Sequence, residues 1–132
     1  MTDDHTPVLD RLTDALNSGV IPEDLVTPDF EIVNVATAIT DKLYKGRAGA
    51  QEWRDDVFEV LADDARFEYR VEASTSDLVV TRLRITATAA ASGMPLDLRW
   101  MAIFRIRDGR LAHGTGFMSR EEAFAAAGLE PG

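Results

Sequence analysis

The chain has 132 residues, 45% of them apolar and 28% charged, with 14 basic against 23 acidic side chains and a net charge of −9. That length supports one domain with one core, and the acidic balance argues against a nucleic acid or an anionic membrane surface, both of which need a positive field. The absence of cysteine excludes a disulfide framework and thiolate chemistry; no apolar run is long enough to span a membrane, residues 1–7 lack a secretory pattern, and a cytoplasmic location is expected.

Residues 1–6 read as a disordered tail and 7–132 as a single domain. Val8, Leu9, Leu12, Ala15 and Leu16 recur at helical spacing, which predicts a helix over 7–17 ending at Gly19. Pro22 followed by Glu23 and Asp24 predicts a short helix over 22–26. A first strand is expected over 29–35, with Phe30, Ile32 and Asn34 on one face. A brief strand over 44–47 leads into a helix over 48–61, striped by Trp53, Val57, Val60 and Leu61 with Phe58 alongside.

Four strands follow. Over 66–73, Phe67, Tyr69, Val71 and Ala73 alternate with charged residues. Over 78–90, Val79, Leu83, Ile85, Ala87 and Ala89 share a face. Over 96–107, Leu98, Trp100, Ala102, Phe104 and Ile106 face one way and Asp97, Arg99, Met101, Ile103 and Arg105 the other. Asp108-Gly109 is a strong hairpin signal, and the last strand runs over 111–117. Alternation places His113 with Leu111, Thr115 and Phe117, and Gly114, Gly116 and Met118 on the opposite face. Ser119 and Glu122 have capping-box spacing before a final helix ending at Gly128. The order of elements predicts an α+β fold with the helices gathered on one face of a largely antiparallel sheet. Glycines inside the last strand suggest a bend or a close approach, and a strongly curved sheet closed by helices encloses a cavity.

The order and spacing of several short motifs resemble the SnoaL-like proteins of the nuclear transport factor 2-like superfamily. These motifs are Leu16-Asn17-Ser18-Gly19, Pro28-Asp29-Phe30, Tyr44-Lys45-Gly46-Arg47-Ala48-Gly49 with Trp53, Ser92-Gly93-Met94-Pro95, Arg107-Asp108-Gly109-Arg110, and Ser119-Arg120-Glu121-Glu122-Ala123 closing on Ala127-Gly128-Leu129. The resemblance implies a curved mixed or antiparallel sheet wrapped by three to four helices, a cystatin-like cone with an internal pocket. It implies frequent dimers through the outer sheet face, here carrying Arg82, Arg84, Arg99, Met101, Ile103 and Arg105. Function across such proteins is diverse, so the site must be argued from its residues.

Ketosteroid-isomerase-like chemistry requires a carboxylate base near the end of the first strand and acidic donors in an apolar site. The matching positions hold Asn34 and, near the donor, Ala102, so the chain departs from that pattern; Asn34 remains able to hydrogen-bond a ligand carbonyl. An epoxide-hydrolase-like relay would use Asp97 and Arg99, but these share the outer face and lack a second acid. Cyclases of this type use an acid on a late strand, where this chain offers only His113, a general base in principle near neutral pH. Catalytic candidates are therefore His113 and Asn34, and their plainer roles are an outer-face histidine and a backbone-satisfied amide.

No metal site is expected, since the histidines are only His5 and His113, without zinc-like spacing. The acid pairs Asp3-Asp4, Asp55-Asp56 and Asp63-Asp64 read as solvated charges. No phosphate loop is present, and no cofactor is expected. Asn34, Trp53, Phe58, Tyr69, Leu83, Leu98, Trp100, Gly114, Gly116 and Met118, with Tyr44 beside them, form the expected pocket set. Each is first a core residue; together they suit a moderate-sized apolar ring-shaped ligand. Three readings follow: binding of a small polyketide-, steroid- or terpenoid-like molecule, a cyclase, isomerase or hydrolase acting on one, or a homodimeric interaction module whose cavity is only core.

Overall fold

The four alternating segments need partners on both edges and cover on both faces, and the computed structural model supplies both. It describes residues 5–33, 44–60, 64–89, 91–117 and 119–129. The elements run α1 (Thr6–Ser18), a 3₁₀ turn (Glu23–Leu25), β1 (Val26–Val33), β2 (Tyr44–Lys45), α2 (Gly46–Val60), β3 (Arg66–Ser74), β4 (Leu78–Thr88), β5 (Pro95–Arg107), β6 (Arg110–Phe117) and α3 (Arg120–Ala127). Asn34, Leu61 and Met118, with the side chains of Val57 and Val60, lie outside the described residues.

The strands form one six-stranded sheet in the order β2-β1-β6-β5-β4-β3. Its β1–β6 pair is parallel and the other pairs are antiparallel, so the sheet is mixed. The expected short helix over 22–26 is only a 3₁₀ turn, because β-branched Val26 and Thr27 already belong to β1, where Val26 pairs with Leu111. Asp108 and Gly109 form the β5–β6 turn with φ of 53° and 73°, the left-handed pair that a two-residue hairpin requires.

The inner face carries the main core: Leu9, Leu12 and Leu16 from α1, Phe30 from β1, and Phe67, Leu83, Ile85, Phe104 and Leu111 from the strands. Helix α1 docks onto the edge strand through Asn17. Its amide accepts from the Phe67 N–H at 2.8 Å and donates to the Phe67 carbonyl at 3.1 Å, satisfying backbone groups that an edge leaves open. Helix α2 is tied to the chain before β1: the Gln51 side chain accepts from Ile21 N–H and donates to Gly19 O, and Arg54 donates to Leu16 O.

The helices are not all on one face. α3, capped by Ser119 Oγ accepting from Glu122 N–H at 3.1 Å, lies on the outer face. There Ala123 and Phe124 form a second buried cluster with Leu78, Val80, Met101 and Ile103. Those four apolar side chains point away from the main core and would otherwise meet water, so the helix immediately after β6 folds back over them. Met101 and Ile103, expected on an open partner surface, are thus covered within the chain. Glu72 sits beneath α3 between Arg82 at 2.6 Å and Arg120 at 3.8 Å. The Arg82 approach lacks hydrogen-bond alignment, so charge rather than directed bonding holds it.

Two irregularities change the expected faces. Between Val71 and Ala73 the β3–β4 register shifts, and Ala73 joins the outer cluster instead of the Phe67–Tyr69 face. Between Arg105 and Ile106 the β5–β6 register shifts as well: Arg105 pairs with His113, and Ile106 with Leu111. Ala112 is the extra residue of a β-bulge. Leu111 therefore belongs to the inner core, not to the face of His113.

Two outcomes test this packing. A Cβ on Gly49 would lie 2.7 Å from the Tyr44 carbonyl carbon, a backbone atom that cannot rotate away. Gly49→Ala is expected to lose about 1–3 kcal/mol in urea unfolding through overpacking; an unchanged midpoint would contradict the close approach. On the exposed outer face, Asp97 accepts from Arg84 Nε and Nη2 at 3.0 and 2.9 Å, with Arg99 at 3.4 Å. Arg84 first, then Arg99, holds its carboxyl down to about 2. The unfolded value is ~3.9, so this stabilisation is present above about pH 4 and is lost as the pH falls through about 2. Asp97→Asn should melt slightly below the wild type at neutral pH, and the gap should close by about pH 2; a gap that persists would exclude the ion pair as its source.

Candidate functional site

Between α1, α2 and the inner sheet face lies a cavity of about 60 Å³, several times the ~10–15 Å³ that one water needs. Its walls are overwhelmingly apolar. α1 contributes Leu12 and Leu16, β1 contributes Phe30 and Ile32, and α2 contributes Ala50 and Trp53. The strands contribute Leu83, Trp100, Ala102, Phe104, Gly114 and Gly116.

Of the expected pocket residues, the cavity brings together Trp53, Tyr69, Leu83, Trp100, Gly114 and Gly116. Phe58 packs elsewhere: its ring stacks on Phe67 at 5.6 Å, with the Arg54 guanidinium 3.7 Å from its centroid. Leu98 packs against the main core without lining the cavity. Asn34 and Met118 lie outside the described residues.

His113 is on the outer face. It pairs with Arg105 on one side and Glu31 on the other, and its Nδ1 lies 3.2 Å from Thr115 Oγ1. The bulge at Ala112 turns Leu111 inward but leaves His113 opposite Gly114, so the imidazole is separated from the cavity by the sheet. Asp97 and Arg99 are exposed on that same outer face.

Thr115 also lines the cavity, and the polar groups with chemistry to offer come from three further residues. Tyr69, on β3, packs edge-on against Phe104 with ring centroids 5.5 Å apart. Burial pushes its hydroxyl well above the ordinary phenol range, so it is a neutral O–H donor throughout the physiological range. Among the described residues no hydrogen-bond partner is found for that hydroxyl. The Phe104 ring has room because position 114 carries no side chain: a Cβ there would meet it at 3.0 Å.

The other two were not singled out as chemistry by the sequence. Tyr44, only 2% exposed, donates its hydroxyl to Asp56 Oδ2 at 2.8 Å, and both line the cavity. Asp56 is the sole charged residue type among the described lining residues. Adjacent acids in a helix diverge by about 100°, and here they do. Asp55 turns out to Gln51 and Arg54, while Asp56, three residues after Trp53, turns in with it. That i, i+3 relation to Trp53 was the available signal. Among the described residues no group of three or more His, Asp or Glu side chains is placed to hold a metal ion, and no helix is long and apolar enough to cross a membrane.

Comparison with known proteins agrees with this architecture. IdmH from Streptomyces antibioticus, a candidate polyketide cyclase, superimposes with a TM-score of 0.73 at 21% identity, covering 96% of this chain and 99% of its own. TerC, co-crystallised with polyporic acid, gives 0.72 at 19% identity over 92% and 95% of the two chains. A protein of ketosteroid isomerase-like fold from Catenulispora acidiphila, in complex with trimethylamine, gives 0.71 at 14% identity over 94% of each. At such identities the likeness speaks for the fold. The comparison with curated proteins gives no significant match. The SnoaL-like domain model matches residues 9–114, which is most of the chain, so the protein belongs to the SnoaL-like domain family.

Proposed function

We propose that the protein binds a small hydrophobic molecule of the polyketide, steroid or terpenoid kind, one carrying a ring and a carbonyl or hydroxyl oxygen. The observation that carries this is the Tyr69 hydroxyl, a neutral donor for which no hydrogen-bond partner is found among the described residues, in a largely apolar wall. A donor facing an apolar cavity gains from an acceptor, and a ligand oxygen would supply one. The polyketide cyclase-type neighbour and the one crystallised with polyporic acid support the same ligand class. The present cavity is smaller than the ~150 Å³ that admits a benzene ring, so a ring-sized ligand requires its half-buried walls, Trp53, Tyr69 and Trp100, to swing outward.

A titration of 2-indanone and its hydrocarbon analogue indane, followed by ligand-observed NMR, tests this reading. Both should bind saturably. Tyr69→Phe should weaken 2-indanone about three- to tenfold, the worth of one hydrogen bond of ~0.5–1.5 kcal/mol, and leave indane unchanged. Absence of saturable binding by either compound would sink the proposal.

Self-association as a homodimer belongs to the same proposal, on the part of the outer face that α3 leaves open, where Arg70, Arg84 and Arg99 accompany Glu68 and Asp97. Mixed signs permit self-complementary pairing across a two-fold axis. Sedimentation equilibrium should return twice the chain mass for the wild type and a monomer for a Glu68→Arg, Asp97→Arg double variant; a wild-type monomer would overturn it.

A further inference from the structure

We propose that Trp100 is the gate of the cavity and the residue that selects its ligand by ring size: it gives way first when a ring enters and then lies against it. This rests on the ligand reading above and names the part of that site which discriminates between ligands.

The three half-buried walls are not held alike. Trp53 stands edge-on to Phe67 at 5.9 Å. Phe67 is stacked on Phe58, which carries the Arg54 guanidinium over its face, and Arg54 donates to Leu16 O at 3.2 Å. Tyr69 stands edge-on to Phe104 at 5.5 Å, and Phe104 closes against the strand at Gly114. Aromatic pairs of this geometry add directional attraction to area burial. Both partners are core residues, Phe67 2% and Phe104 6% exposed, so Trp53 and Tyr69 yield only as far as the core allows. For Trp100 no ring contact, hydrogen bond or ion pair is found among the described residues. What holds it is apolar packing against the main core. That attraction is non-directional, and an apolar ring entering beside the indole restores it.

The surroundings leave Trp100 room. It stands on β5, and strands admit two common χ1 rotamers, so the indole can change place without moving the backbone. Its inner-face neighbour two residues on is Ala102, which pairs with Gly116 on β6. Both line the cavity, so the wall beside Trp100 is one methyl group and bare backbone. On the other side Trp100 pairs with Leu83, and Leu83 with Tyr69. Two strand spacings, about 10 Å, separate Tyr69 from Trp100. A ring lying over Leu83 with its carbonyl toward the Tyr69 hydroxyl therefore meets Trp100 at its far edge. Further rings fused to such a ligand have to displace Trp100.

The experiment compares 2-indanone with the three-ring ketone 9-fluorenone by ligand-observed NMR, and follows entry of 2-indanone by stopped-flow tryptophan fluorescence. In the wild type the entry rate should level off at high ligand, limited by the opening of Trp100. In Trp100→Ala it should rise in proportion to ligand, with Trp53, the second of the chain's two tryptophans, as the reporter. Trp100→Ala should shift the affinity ratio toward 9-fluorenone by about tenfold or more, the scale on which a pocket reads size. Trp53→Phe should shift that ratio less, since its ring stays against Phe67, and His113→Ala on the outer face should leave it unchanged.

A wild-type ratio in Trp100→Ala, or an equal or larger shift from Trp53→Phe, would overturn this inference while 2-indanone binding keeps the ligand reading standing. So would wild-type entry that stays proportional to ligand up to the solubility limit. Failure of the wild type to bind 2-indanone and indane would overturn the ligand reading and this inference with it. Where Trp100→Ala does not fold, Trp100→Phe decides: the ratio should move toward 9-fluorenone by a smaller factor, and an unmoved ratio would count against the gate.

Discussion

The constraint on which the molecule depends is the two-residue period of its strands and the places where that period breaks, two of which re-sort the faces. A strand sends alternate side chains to opposite faces, and a single inserted residue reverses every assignment beyond it. The β3 shift after Val71 sends Ala73 to the outer cluster. The β6 bulge at Ala112 turns Leu111 into the core while His113 stays outside. Without the second bulge, either Leu111 would face solvent or the glycines would leave the cavity wall. The one extra residue lets Leu111 share the inner face with the two glycines while His113 keeps the outer face that alternation gives it.

The cavity is then a consequence of unequal filling. Gly114 opposes Phe104 and lets its ring lie close to the strand. Phe104 in turn supports Tyr69 edge-on, which carries a hydroxyl into an apolar space. On the far side α2 cannot slide, because Gln51 and Arg54 bond the backbone that precedes β1. The same helix therefore offers one face to structure and the other, with Trp53 and Asp56, to the cavity. Close packing elsewhere is what keeps this gap from collapsing.

The outer face shows the same economy. Four apolar side chains projecting from β4 and β5 require cover, and α3 provides it directly after the last strand. What remains open is polar and arginine-bearing, paired locally by Asp97 and Glu72. The apolar and charged residues that look intermingled along the sequence are segregated in space, one group under the helix and the other beside it.

Much of this was legible beforehand. Helical spacing located α1 and α2; alternation located the long strands; and Asp108-Gly109 marked their turn, while the Ser119 cap and Gly128 located α3. These features are local, set by propensity and by chemistry within a few residues, and a sequence contains them in full. Trp53, Tyr69, Leu83 and Trp100 could be placed on the inner face by period alone. What only the tertiary structure decided was whatever depends on partners distant in the chain: the bulges, which exist only relative to a neighbouring strand's register, the side of the sheet that α3 covers, and the meeting of Tyr44 with Asp56. Two adjacent aspartates look alike in a sequence. One becomes a solvated charge and the other a cavity carboxylate only when the helix is rotated against a sheet, and that rotation is set by packing over the whole inner face.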